Sequence, residues 1–414
     1  MSVPGTSAPR RPRRWIGVLL AVALLASGGA GLALGLSRPD PPVVAASRPW
    51  FSDQVTATAD QTLQQLALGQ AQSSLNAEAR RIRHGHEPAT QGVPFDQYRI
   101  RLGSAASPTP ADLLAGRFRA IVMIRYRLPI DHVTVARSVQ ARFTLGRHGW
   151  QLAHIGANSH DLWAHGPVDV ASSGRTLVMG SASYSSRLPS LATQADAARR
   201  QVAGLWTAKW PGRVVVLLPQ DARTMNPLVG TASVSRVPAV TNVVSGSTGP
   251  IIRITLNPEV FLSLPALSQQ IVLRHEITHV AQDALAAGHA PVWLTEGLAE
   301  YFGYLGTGIP DSVVGAGVFD QVRASGVPHA LPADDAFAFD LSSDQRSLVY
   351  EQGWAACRMV ADRYGQARLV PFYVAAVNAN GSPQERVDQA ARKVLGINGR
   401  TFVAQWQQWL QDHA

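Results

Sequence analysis

Cysteine is nearly absent from this 414-residue chain. The single Cys357 rules out an intramolecular disulfide, so a domain exported to an oxidising compartment must be held by its core alone. Its apolar setting, Trp354-Ala355-Ala356-Cys357, makes packing its expected role. Lysine is scarce as well: Lys209 and Lys393 stand against 35 arginines, a bias of composition rather than a phosphate-binding device. No zinc-finger, RNA-binding or helix-turn-helix signature accompanies the basic excess, so nucleic acid is not an expected partner. Four arginines (Arg10, Arg11, Arg13, Arg14) precede the first apolar run, and removing them takes the net charge from +9 to +5. Glutamate is thin too. Of eight in the chain, Glu276, Glu296, Glu300 and Glu351 fall within one 76-residue stretch.

What is present describes a globular protein, 46% hydrophobic and long enough for two to three domains with a real core. Residues 15–36 carry no charge over 22 positions, enough to cross a hydrocarbon layer about 30 Å thick. With the arginines before it, this run reads as a transmembrane anchor that keeps 1–14 as a cytoplasmic tail and sends the rest outside. A cleaved signal peptide is the rival reading, because Ala26, Ser27, Gly28, Gly29 and Ala30 offer small residues to a peptidase. No cysteine follows the run, so lipoprotein attachment is not supported. Residues 37–49 are a proline-rich linker.

Over 50–165 the pattern is a small α+β module. A helix is expected at about 51–82, ending in the basic patch Arg80, Arg81, Arg83, His84, which reads as a solvated face. Alternating runs at 97–102, 118–126, 133–145 and 150–154 read as antiparallel strands, the last two joined by a hairpin at Gly146-Arg147-His148-Gly149. By pattern alone this is similar to cystatin-like or nuclear-transport-factor-like domains. His154, His160 and His165 lack the spacing of a metal site. A boundary is expected over 161–175. Beyond it, strands at 176–180, 213–218, 239–244 and 251–255 surround a helix at about 191–206.

The chemistry concentrates in 274–301. His275, Glu276 and His279 form H-E-x-x-H, and positions four apart lie one turn apart on one helix face, so both imidazoles can reach one metal ion. Glu276, one position on, is rotated by about 100° and suits a general base beside the metal rather than a ligand. Two unrelated histidines on an amphipathic helix would give the same letters. Glu296, on a helix opened by Pro291, argues against that, because two imidazoles and one carboxylate leave a fourth tetrahedral position open, as catalytic zinc requires. Glu300 stacks on Glu296 four residues on; it is either the acceptor for a ligand histidine's free N–H or a surface carboxylate. The expected activity is zinc-assisted hydrolysis, most often of a peptide bond.

This stretch resembles the gluzincin metallopeptidases. The tryptophan Trp293 and the run Glu-Gly-Leu-Ala-Glu-Tyr from Glu296 are closest to the aminopeptidase-N-like and peptidase MA-like branch. The metzincin pattern needs a third histidine six residues past His279, and position 285 is Leu. The resemblance implies a zincin-like domain over 166–414 with a sheet upstream of the metal helix, an edge strand that grips substrate backbone, and a helical carboxy-terminal lobe. It implies one Zn2+ and a peptide or protein substrate. Tyr350, in Val349-Tyr350-Glu351-Gln352-Gly353, matches the family's Tyr-x-Lys-Gly tyrosine, whose hydroxyl stabilises the tetrahedral intermediate; Gln352 replaces the lysine. A tyrosine packed at the start of a core helix is the alternative for Tyr350, and His329 the alternative donor. The Gly-Ala-Met-Glu-Asn motif of aminopeptidases has no counterpart, so aminopeptidase activity is not implied. A metal-holding scaffold and a zinc hydrolase of non-peptide amides or esters are the rival functions.

Overall fold

The structure, a computed structural model, describes residues 53–230, 237–246, 249–285, 290–337 and 343–414. Its first element is a 31-residue helix, Asp53–Arg83. Ala67, Ala71, Leu75 and Ala79 recur every four positions along it and are all buried. That stripe lies on an antiparallel meander of β1 (Gln97–Leu102), β2 (Arg117–Arg127), β3 (Val135–Gly146) and β4 (Gly149–Ile155). The helix also closes both sheet edges. Gln72 donates to the Ile100 carbonyl and accepts from Leu102 N, each at 2.9 Å; Gln70 accepts from Trp150 N at 3.0 Å and Ser74 from Leu152 N at 2.7 Å. Edge groups that could otherwise template another chain are thereby satisfied.

At the expected boundary the chain instead makes structure. β5 (Val168–Ser173) pairs antiparallel with β6 (Thr176–Ser181) through a tight turn in which Gly174 takes φ 52°. The helix Leu188–Leu205 then carries the chain over to β7 (Val214–Leu218), parallel to β6. β8 (Ala239–Ser245) and β9 (Pro250–Leu256) complete a mixed sheet in the order β5-β6-β7-β9-β8, with β8 at the edge.

This second sheet is buried on both faces. Val214, Val216 and Leu218 join the helical core, whereas Val215 and Leu217 join Leu177, Met179 and Ile251 in a cluster with Phe95, Tyr126 and Val135 of the first sheet. A strand covered on both sides needs an unbroken apolar run, which Val-Val-Val-Leu-Leu supplies. The stretches expected as two domains therefore share an apolar interface, crossed by a buried ion pair from Arg253 Nη2 to Asp131 Oδ2 at 2.6 Å. Asp131→Ala should cost about 3–5 kcal/mol, because it leaves the Arg253 guanidinium buried without its charge partner. Urea denaturation of the variant checks this, and an unchanged midpoint would show that water already reaches the pair.

The expectation of an amino-terminal transmembrane helix is corrected. No helix among the described residues is long and apolar enough to cross a membrane. Even the longest, Asp53–Arg83, ends in Arg80, Arg81 and Arg83, which hydrocarbon would not tolerate. Residues 15–36, on which that expectation falls, lie outside the described residues. The described fold is mixed helix and sheet.

The remaining chain is helical. Ala266–Asp283 packs on the second sheet, and Val292–Tyr304 packs on both it and Ser343–Tyr364. The helices Leu369–Val377, Pro383–Val394 and Gly399–His413 complete the lobe. There Phe402 stacks on Phe372 at 5.4 Å, and Trp406 and Trp409 are buried, as a core role requires.

Candidate metal centre

Pro265 starts the helix Ala266–Asp283, in which residues 271–282 are all buried, polar ones included. The neighbouring helix, Val292–Tyr304, is just as thoroughly enclosed. Arg274 ties the two together: its guanidinium donates to the Leu305 carbonyl at 2.6 Å and the Gly303 carbonyl at 3.4 Å, where the second helix ends. A cation there also meets the negative end of the helix dipole.

His275, His279 and Glu296 are brought together, their ligand atoms all within 4.8 Å of one another. The two Nε2 atoms are 2.9 Å apart, and Glu296 Oε2 lies 3.5 Å from that of His275 and 3.3 Å from that of His279. Ligands held at about 2.0–2.1 Å around a tetrahedral zinc stand about 3.3 Å from each other, so these three edges fit that ion. Among the described residues no other group of His, Cys, Asp or Glu meets in this way. His154 and His160 are exposed, and His165 Nε2 lies 2.8 Å from the Ser159 carbonyl.

Electrostatics put Glu296 and His275 in the states a metal needs. Burial alone would raise Glu296, but the nearby imidazoles of His279 and His275 hold it down to about 2, ionised. Burial pushes His275 down to about 4, the neutral form a metal needs. For His279 burial also opposes the charge, yet the attraction of Glu296 outweighs it and raises the ring to about 9. Its Nδ1 is 2.7 Å from Gln282 Oε1, and Gln282 Nε2 donates to the Thr295 carbonyl at 2.9 Å. Gln282 thus accepts an N–H from His279 Nδ1, and Nε2 faces Glu296, where a bound cation would take the place of its proton.

Glu276 sits beside the cluster, wholly buried, and burial pushes its carboxyl up to about 7. Thr241 Oγ1, from edge strand β8, donates to Glu276 Oε2 at 2.6 Å. Glu276 Oε1, Glu296 Oε2 and His275 Nδ1 are buried without a hydrogen-bond partner. Of these, Glu296 Oε2 lies at the cluster and Glu276 Oε1 belongs to the carboxylate beside it, whereas His275 Nδ1 faces Glu300. Orphaned polar atoms at the cluster are what a ligand site leaves among its protein groups.

Glu300 faces His275 Nδ1 at 3.6 Å, too far for a hydrogen bond. Burial, with the nearby charges of Glu296 and Glu351, raises its carboxyl well above the ordinary value. The Tyr350 ring stacks on His275 at 6.5 Å, inclined 29°, and Phe337 meets its edge at 5.4 Å. His329 is exposed. Gln352 is buried and donates to Gln321 Oε1 at 3.0 Å, so it serves the lobe. Cys357 is buried, and burial raises its thiol far above the ordinary value.

Glu351 turns the other way from Tyr350 and accepts from Val318 N at 2.8 Å, at the start of the helix Ala316–Ser325. Burial raises it from 4.5 to about 7. A carboxyl whose folded pKa is raised stabilises fully below its unfolded value and loses that contribution as pH climbs through the folded one. Stability should therefore fall between about pH 4.5 and 7, and Glu351→Gln should flatten that slope in urea midpoints taken across the range.

Sequence reasoning missed Thr241 and Gln282. Gln282 was within reach, three residues past His279 on the same helix. Thr241 was not, because it lies 35 residues before its partner, on a strand whose place in the sheet the sequence does not state.

No protein-family model matches the chain, and no curated protein matches it.

Proposed function

We propose that the chain is a zinc-dependent peptidase in which His275, His279 and Glu296 hold the metal. The observation that carries this reading is the convergence of two imidazole nitrogens and one carboxylate oxygen at tetrahedral spacing, with a second carboxylate, Glu276, beside them. Zinc bound there would lower the pKa of a water and polarise a carbonyl. Glu276 takes a proton from the attacking water and hands it to the leaving amine, a role suited to a carboxyl poised near 7. Tyr350 donates from an uncharged phenol to the developing oxyanion. A peptide is favoured over a small ester because β8, which holds Thr241, is an edge strand. Beyond its pairing with β9, the described residues add only a single bridge, Val135 to Gly246. Extended substrate backbone can add to such an edge.

The deciding experiment is metal analysis of the purified protein, followed by a peptide library with and without chelator. Cleavage that chelator stops and zinc restores is expected. Failure to bind zinc would end the metal centre, zinc without cleavage would leave a scaffold, and ester hydrolysis alone would move the chemistry to another substrate class.

Thr241 is expected to orient the base. Thr241→Val keeps the shape and removes the donor, which should lower kcat about tenfold with KM little changed. Thr241→Ser should restore most of the rate, and a Val variant with parental kcat would relieve Thr241 of this role.

A further inference from the structure

The open edge of β8 is interrupted at one end. Val135, the first residue of β3, forms an antiparallel bridge to Gly246, just past the end of β8. The bridge lies away from β9, because Gly246 N donates to the Gly249 carbonyl at 3.1 Å on the hairpin side. With that N–H spent, the bridge is carried by flanking residues, Ser245 among them. The same hairpin sets which groups of β8 look outward. Antiparallel partners alternate between exchanging hydrogen bonds and not, so next to Gly246–Gly249 the pairs Ser245–Pro250, Val243–Ile252 and Thr241–Ile254 do not exchange them. Pro250 agrees, having no N–H to give. Ser245, Val243 and Thr241 therefore turn their backbone groups to the outer edge. Among the described residues nothing pairs with that edge at Thr241 or Val243.

The interruption is firmly held. Val135 is buried and also pairs with Tyr126 in its own sheet. Val133 leans on the same spot, since a Cβ on Gly246 would stand 2.9 Å from Val133 Cγ2. Two residues before it, Asp131 is tied to Arg253 of β9 by the buried ion pair. Val243, by contrast, is 47% exposed, and it shares a strand face with Thr241 two residues away.

We propose that the amino-terminal module is the length stop of the substrate groove: peptide backbone pairs at Val243 and is halted by β3 at Val135. This rests on the peptidase reading. Thr241 donates to Glu276, so the scissile bond stands at about the level of Thr241. From there to Ser245 the strand rises about 14 Å, at about 3.4 Å per residue. About three substrate residues fit in that length, with Val243 supplying the ladder pair between the metal and the stop. A longer chain continues only by turning out of the ladder, which orders more residues without pairing them. The module thereby decides how much of the substrate the site reads on that side.

The test takes a peptide that the zinc-loaded full chain cleaves and lengthens it one residue at a time, in one series at each terminus. In one series kcat/KM should climb about tenfold up to the third residue from the scissile bond and stay level from the fourth. Val243→Pro removes the outward N–H while sparing the ladder with β9, so it should erase that climb. Val243→Ala keeps the N–H and should keep the climb. Should the proline lower the melting temperature, a photoreactive group gives a second readout on the Glu276→Gln protein. Placed on the third residue it should label residues 133–136, and placed on the first it should not. No climb in either series, a climb past the fifth residue in both, a folded Val243→Pro chain with the parental climb, or labelling elsewhere overturns the stop and leaves the peptidase standing. Absence of any chelator-sensitive cleavage removes the peptidase reading and the stop with it.

Discussion

Glu276→Gln should yield a folded, zinc-loaded protein whose peptide hydrolysis is lower by on the order of 10³-fold. The amide has nearly the volume of the carboxylate, and its oxygen can still accept the Thr241 hydroxyl proton, which now meets Glu276 Oε2 at 2.6 Å. Neither His275, His279 nor Glu296 loses an atom, so metal content should not change. What disappears is the group able to take a proton and return it. Turnover at the parental rate with zinc in place would show that the base lies elsewhere, and loss of zinc would show that Glu276 is a ligand. Metal analysis and initial rates on the same preparation separate these outcomes.

The second large effect is expected at a glycine with no chemical role. A Cβ on Gly297 would stand 2.3 Å from the Gly353 carbonyl oxygen and 2.4 Å from its carbon, and one on Gly353 would stand 2.6 Å from the Trp293 carbonyl oxygen. These are backbone atoms of two helices crossing at their closest point, so neither side can yield by turning a side chain. Gly297→Ala should therefore cost about 3 kcal/mol or more, and should also weaken zinc binding, because Glu296 is the adjacent residue and Tyr350 rides on the displaced helix. Urea denaturation and a zinc titration measure the two effects. Gly204→Ala is the control: nothing lies within 4 Å of its added methyl, and alanine favours a helix by up to about 1 kcal/mol over glycine. A Gly297→Ala protein as stable as that control would mean that the helices slide apart freely.

Some of this was legible in the sequence for local reasons. The metal helix could be placed because Pro265 starts it and H-E-x-x-H only makes sense on a helix face. Its two histidines converge through the four-residue repeat alone. Glu296 needed one more step, a second helix opened by Pro291. The meander strands were readable because each is covered on one face only, so apolar and polar residues alternate. The strand Val168–Ser173 was not, since Gly166, Pro167 and Gly174 around it imitate a boundary and its pairing is set by the strand Thr176–Ser181. Glu300 stacks over Glu296 as helix geometry demands, yet its 3.6 Å separation from His275 is fixed by how two helices pack.

By itself, then, the sequence determined which side chains could serve a metal and which faces of its helices and strands seek a core, because both arise from periodicities of a few residues. Only the tertiary structure decided that β8 lies at the sheet edge with Thr241 against Glu276, that the second sheet is covered on both sides, and that two glycines let the Glu296 helix and the Tyr350 helix touch. Those are contacts between segments tens of residues apart, and no local pattern records which surface of one will meet which surface of the other.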